Sequence, residues 1–179
     1  MAKNLLSRVT VRPEAPSARH VERPTDATLD KFEQASGLAL PATYREFATT
    51  FGAGELAGFY RMYAPLPKRY RFGGQIVYDL AAENERLRPH LGEYECPGGP
   101  ADYWVFCTDG GGVMYAWNVN EPARGEYRIY ELVHRDEVRL AAETFPEFVS
   151  HCCHLDYWRD DDKPATCWEF ARFRVPPRS

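Results

Sequence analysis

One helix constrains this chain more than any other feature of its sequence. Pro41 suits the first position of a helix, where its missing N–H would have no partner. Apolar side chains then recur with the spacing of one helical face, i, i+3, i+4 and i+7: Tyr44, Phe47, Ala48 and Phe51. Gly52 and Gly54 follow and end the pattern. We therefore predict an amphipathic helix with an aromatic stripe that packs on a core.

Three more helices are predicted from caps and apolar spacing. Thr25 caps the first, with Asp26 in its first turn and Gly37 as its stop. Another is predicted from Gln75 to Leu87, ended by Pro89. The last begins with a capping box, Thr144-x-x-Glu147, and carries an apolar stripe of four residues: Phe145, Phe148, Val149 and Cys152.

Strands are predicted in the middle of the chain. Residues 57–66 are β-like. Tyr103 to Cys107 and Val113 to Trp117 flank a glycine-rich turn, 109–112, which is typical of a hairpin, and a further strand runs from Glu126 to Val133. The order of helices and strands indicates a single α+β domain with helices against a mostly antiparallel sheet, not an alternating βαβ fold.

The charge divides the 179 residues into three parts. Residues 1–23 hold five basic and two acidic groups, and their prolines and scarce apolar residues predict an arm with little to bury. Residues 24–155, the predicted domain, hold twelve basic and nineteen acidic groups, which gives a net charge of −7. Residues 156–179 are balanced. An acidic body disfavours a general nucleic-acid binder and favours basic or neutral partners.

Apolar runs and cysteines indicate the compartment. No segment reaches the ~18–20 apolar residues of a membrane span, and the N-terminus lacks the apolar core of a signal peptide. The cysteines are odd in number and contain no Cys-x-x-Cys pair, which favours reduced thiols: Cys96, Cys107, Cys152, Cys153 and Cys167. A cytoplasmic protein without a membrane partner is expected.

Three parts of the sequence together resemble the SUKH superfamily. The first runs from Leu29 through Gly37-Leu38-x-Leu40-Pro41 and the aromatic helix to Gly52. The second is the hairpin Trp104 to Trp117, and the third is Thr144-Phe145-x-Glu147-Phe148. The resemblance covers roughly residues 24–155. It implies structural roles for seven positions: Gly37, Leu40, Pro41, Tyr44, Phe47, Gly52 and Gly111.

What this resemblance implies is a protein-binding domain without cofactor or catalytic residues. Many bacterial members of the superfamily are immunity proteins that neutralise a cognate toxin, often a nuclease, of a polymorphic toxin system. Other members, including a fungal cell-wall regulator, act as interaction modules. The partner surface differs between members, so no binding residue is transferred from the family by position.

Several clusters permit other chemistry. His151 and His154 could share a metal ion on one helix face, although Cys152 between them falls on the apolar stripe. A Cys–His nucleophilic pair would need distant residues to meet. The basic run Lys68 to Arg71 could contact nucleic acid, or could be a solvated loop. The aromatic tail 167–175 fits either a strand packed on the domain or an exposed anchor for a partner.

The leading hypothesis from the sequence is an immunity protein that binds a basic toxin domain. A regulatory interaction module of the same fold is the alternative, and a Cys/His or metal-dependent enzyme is the third. Acidic and aromatic residues are predicted to contact the partner: Glu93, Glu95, Asp102, Tyr157, Trp158, Asp160, Asp161 and Asp162.

Overall fold

The computed structural model describes residues 6–13, 19–123, 125–134, 137–154 and 168–176. In this part of the chain four helices pack on an eight-stranded, mostly antiparallel sheet, with a separate two-stranded hairpin beside it. The predicted α+β class is confirmed. None of the helices in these ranges is long and apolar enough to span a membrane.

Two helices open the domain as the sequence predicts. Helix α1 (Asp26–Ser36) begins at Thr25, whose side chain accepts from the Thr28 N–H, and ends at Gly37 with φ +73°. Helix α2 (Ala42–Phe51) begins one residue later than expected, so that Pro41 precedes its first turn. Its apolar stripe is buried.

One edge of the sheet consists of four short strands, in the order β1 (Thr10–Val11), β10 (Glu169–Arg172), β2 (Gly54–Leu56) and β3 (Tyr60–Met62), and four longer strands follow in chain order. The longer strands are β6 (Tyr103–Thr108), β7 (Met114–Ala123), β8 (Glu126–His134) and β9 (Glu137–Ala142). The first three match the predicted strands and β9 is additional. Within the β-like region 57–66 only β3 (Tyr60–Met62) is a strand, and the turn before it connects β3 to β2 (Gly54–Leu56), which lies outside the predicted region.

Helix α3 (Leu80–Leu91) differs from the predicted helix over 75–87. Its N-terminal part is a strand, because Gly73 and Gly74 both adopt positive φ and turn β5 (Gln75–Val77) back onto β4 (Tyr70–Phe72). Asp79 caps the helix, which continues two residues beyond Pro89. The expected boundaries were therefore wrong at both ends.

Buried Asn84 fastens α3 to the sheet. Its side-chain amide donates to the Val105 carbonyl at 2.7 Å and accepts from the Val105 N–H at 2.8 Å. These bonds take the place of a neighbouring strand for that residue of β6.

Helix α4 (Phe145–Cys153) packs on the sheet next to α2, where Phe145 contacts Tyr44 and Phe47 at centroid distances of 5.3 Å each. Thr144 caps it by accepting from the Glu147 N–H, while the Glu147 carboxylate reaches back to the Glu143 N–H at 3.1 Å. Buried Glu126 of β8 accepts from the Phe145 N–H at 2.7 Å and from the Thr43 hydroxyl. One carboxylate thus connects α4, α2 and the sheet.

Both ends of the chain belong to the sheet. Strand β10 (Glu169–Arg172) lies between β1 (Thr10–Val11) and β2, parallel to the former and antiparallel to the latter. Phe170 is fully buried, and an ideal Cβ on Gly54 would lie 2.4 Å from its ring. Leu6, Val9 and Val21 are also buried, so the first 23 residues contain more to bury than their composition predicted.

Candidate functional site

A groove of about 750 Å³ lies on the α4 face of the sheet, beside the C-terminal half of that helix. Its floor is a row across three strands, because Tyr115 of β7 pairs with Glu131 of β8, and Glu131 pairs with Arg139 of β9. Directly opposed residues on neighbouring strands project from the same face, so this row is continuous. We call this concavity the acidic groove.

Aromatic rings form the inner wall of the acidic groove. The ring centroid of Tyr115 lies 5.8 Å from that of Tyr60 and 5.1 Å from that of Phe148 on α4. Burial raises the pKa of both tyrosines, so their hydroxyls stay protonated at neutral pH. The wall is therefore rigid, apolar in its rings and equipped with hydroxyl groups.

Carboxylates set the charge of the groove. Asp109 in the β6–β7 turn accepts from the backbone N–H groups of Gly111 and Val113 at 2.8 and 2.9 Å, which fixes its carboxylate at the rim. Glu131 and Glu137 both form ion pairs with Arg139. With three carboxylates against one guanidinium, the acidic and basic side chains of the lining carry a net negative formal charge.

An exposed leucine completes the rim. Leu140 on β9 is 49% exposed, although it lies directly beside the buried groove wall. Apolar surface within a ring of polar groups is the usual anatomy of a protein–protein interface. The groove therefore combines a concave shape, apolar surface and a net negative formal charge.

Three of the eight sequence-predicted contact residues fall in the described ranges, and these three do not line the acidic groove. Glu93 lines a separate cavity of about 550 Å³ across the β6–β7 turn, where its carboxylate is 3.5 Å from His90 Nδ1. Glu95 is exposed and Asp102 is half-buried in the loop that leads to β6. The structure does not bring these three together with the acidic groove. The remaining five lie outside the described residues: Tyr157, Trp158, Asp160, Asp161 and Asp162.

Sequence reasoning missed the residues that line the groove. Asp109 was considered only as part of a turn, and Glu131 only as part of a strand. Glu137 and Arg139 belong to β9, which the sequence analysis did not predict. One signal was available in β8. Half-buried Glu131 and Val133 alternate with buried Leu132, and this alternation indicates that one face of the strand is only partly covered.

The motif positions have local structural roles. Tyr44 donates from its hydroxyl to the Tyr63 carbonyl at 2.5 Å, and Phe47, Leu40 and Pro41 are buried. Gly52 adopts φ +81° at the end of α2. In the β6–β7 turn the positive φ lies at Gly112, while Gly111 donates its N–H to Asp109.

Two buried cysteines and two exposed histidines of the candidate Cys–His and metal clusters have structural surroundings in the fold. Burial raises the pKa of the Cys107 and Cys152 thiols, which keeps them protonated and poorly nucleophilic. His151 Nδ1 lies 3.0 Å from the Ala141 carbonyl, and His154 Nδ1 lies 2.7 Å from the Ser150 carbonyl. Within the ranges that the structure covers, no group of three His, Cys, Asp or Glu side chains could hold a metal ion.

The basic run is also largely engaged. Lys68 forms an ion pair with Glu22, and the Tyr70 hydroxyl accepts from the Glu22 N–H at 2.9 Å. Arg71 donates to the Gly74 carbonyl at 3.0 Å within its own hairpin. These contacts fasten the β4–β5 hairpin to the N-terminal segment, which favours a structural role over contact with nucleic acid.

Comparison with known proteins identifies one family. The model of the SMI1 / KNR4 family (SUKH-1) matches residues 23–151, which is more than two thirds of the chain. The matched range includes α1 to α3, α4 up to its residue 151, and strands β2 to β9, whereas β1 and β10 lie outside it. A search of curated proteins finds no match.

Proposed function

Because the chain belongs to the SMI1 / KNR4 (SUKH-1) family, we propose that it is an immunity protein of a bacterial polymorphic toxin system. It neutralises a cognate toxin by direct, stoichiometric binding and acts in the cytoplasm. The family includes immunity proteins, and family membership is the observation that carries this proposal.

Charge supports a basic toxin, such as a nuclease, as the partner. The domain carries a net charge of −7 over residues 24–155. Enzymes that grip phosphates present basic surfaces, and opposite potentials accelerate the encounter of two proteins. The predicted contact residues Glu93, Glu95 and Asp102 would contribute to this steering, while Tyr157 and Trp158 are aromatic candidates for buried anchors.

Co-expression tests the proposal. The toxin domain encoded immediately upstream should arrest growth when expressed alone, and this protein should restore growth and co-purify with the toxin in a 1:1 complex. Persistent killing without a complex would contradict the immunity role.

The gene neighbourhood separates this role from that of a regulatory interaction module. An immunity gene should directly follow a large toxin gene with a variable 3′ end. A neighbourhood without such a gene, together with stable binding to a housekeeping protein, would favour the regulatory module.

A further inference from the structure

We propose that the acidic groove receives an arginine or lysine side chain of the protein partner, which makes this face of the sheet the docking surface. The inference deepens the proposed function and rests on it. It assigns a binding role to Asp109 and Glu131, which the sequence did not single out.

The acidic groove combines aromatic rings with carboxylates, and this combination favours a cationic side chain as its ligand. Tyr60 and Tyr115 are each only 8% exposed, so they form fixed walls that do not need to reorganise on binding. Phe59 packs edge-on against Tyr60 with a centroid distance of 5.2 Å and lines the same groove. Aromatic rings with a carboxylate beside them are the chemistry that attracts a cationic side chain.

The Asp109 carboxylate has one oxygen, Oδ2, that accepts no hydrogen bond from the described residues. Both backbone N–H groups that hold Asp109 donate to Oδ1. Among the described residues no donor reaches Oδ2, and no Lys or Arg side chain pairs with Asp109. A guanidinium or ammonium group entering the groove would supply the missing donor in a charge-assisted hydrogen bond.

The groove already contains one cation of its own chain, the Arg139 guanidinium. Arg139 lies between Glu131 and Glu137, so two carboxylates share a single guanidinium. One negative charge of this trio stays uncompensated, beside the negative charge of Asp109. The groove therefore has capacity for a second cation.

The edge of the sheet favours an inserted side chain over an added strand. The pairing of β9 with β8 shifts register at two places, and such bulges twist an edge away from further pairing. The Ala141 carbonyl is in addition engaged by His151. The partner thus contacts this face chiefly through side chains that enter the groove.

Two double variants test the assignment. Asp109→Asn with Glu131→Gln removes two charges from the groove and keeps the shapes of both side chains. Glu46→Gln with Glu85→Gln removes two charges from exposed helix positions outside it. With the upstream-encoded toxin domain as the probe in calorimetry, we expect the groove variant to bind at least about 30-fold more weakly and the control to change by less than about threefold.

Each outcome decides one claim. If the wild-type protein does not bind the toxin, the proposed function falls and this assignment falls with it. If the wild type binds but the two double variants weaken binding equally, or neither does, only the assignment is overturned. A wild-type dimer that the groove variant converts to a monomer in light scattering would identify a second copy as the occupant and also overturn it.

Urea unfolding of each variant accompanies the binding measurements. Should the Asp109→Asn change unfold the turn, Glu131→Gln alone, compared with Glu85→Gln alone, gives the same test. A single groove variant that binds no more weakly than its control would then overturn the assignment.

Discussion

At the scale of single residues, a few polar groups connect elements that are distant in sequence. The Tyr44 hydroxyl binds the Tyr63 carbonyl, while its ring contacts Trp117 and Phe145 at centroid distances of 4.7 and 5.3 Å. The Asn84 side chain connects α3 to β6 through its two hydrogen bonds with the Val105 backbone. Removing the hydrogen-bond partner of a buried polar group lowers the stability of the fold, because water cannot reach the buried group to replace the lost hydrogen bond.

Replacement of Asn84 by Ala should therefore be strongly destabilising. The change leaves the buried N–H and C=O of Val105 without their side-chain partner and opens a small cavity. We expect the free energy of unfolding in urea to fall by about 2–4 kcal/mol. Glu85→Ala on the exposed face of the same helix is the control and should change it by less than about 0.5 kcal/mol. Equal effects would contradict the anchoring role of Asn84.

We expect thiol reagents to label the cysteines of the native protein according to how exposed their side chains are. Cys107, Cys152 and Cys153 are buried, whereas Cys96 is half-buried. Burial raises the pKa of the Cys96 thiol and raises that of the Cys107 and Cys152 thiols well above the ordinary value. In the native protein at pH 8, peptide mapping after brief maleimide treatment should find the three buried cysteines unmodified and Cys96 modified. Labelling in urea is the control, since it should modify all of them. A hyper-reactive Cys107 or Cys152 in the native state would instead favour the enzyme hypothesis.

At the scale of elements, local signals predicted helices well where the cap and the stripe agree. The Thr25 and Thr144 caps and the α2 stripe depend on near neighbours, so the sequence specified them. The region 75–87 was misread because Ile76, Leu80 and Leu87 fit a helical face. Pairing between β4 and β5 took Gln75–Val77 into a strand instead.

Strand β10 contributes Phe170 to the core, and we expect this residue to be important for stability. Phe170 is fully buried against Phe47 and Phe51, with centroid distances of 5.4 and 5.5 Å. Phe170→Ala should lower the free energy of unfolding by about 3–5 kcal/mol. Phe72→Ala is the matched control, because that ring is 62% exposed, and should cost less than about 1 kcal/mol. Urea denaturation checks both, and a small effect at Phe170 would show that β10 merely lies on the surface.

At the scale of the whole molecule, the charge distribution governs encounters. The domain carries a net charge of −7 over residues 24–155, and the acidic groove brings carboxylates together beside aromatic rings. Exposed charges act through a screened potential, whereas contacts at the centre of an interface are screened less. Salt should thus affect association and dissociation differently.

Binding kinetics at several salt concentrations check this expectation. Between about 50 mM and about 500 mM NaCl, the association rate constant for the toxin domain should fall about tenfold or more. The dissociation rate constant should change by less than about threefold, because it depends mainly on the buried contacts. An association rate that does not depend on salt would contradict electrostatic steering by the acidic body.

The sequence by itself determined the helix caps, the apolar stripes of α2 and α4, the family and the sign of the charge. Caps, apolar spacing and glycine turns act over a few residues, and composition needs no structure at all. Only the tertiary structure decided that β10 lies between β1 and β2, and that Tyr115, Glu131 and Arg139 form one row. Strand order and register depend on contacts between residues far apart in the chain, and such contacts leave no fixed spacing in the sequence.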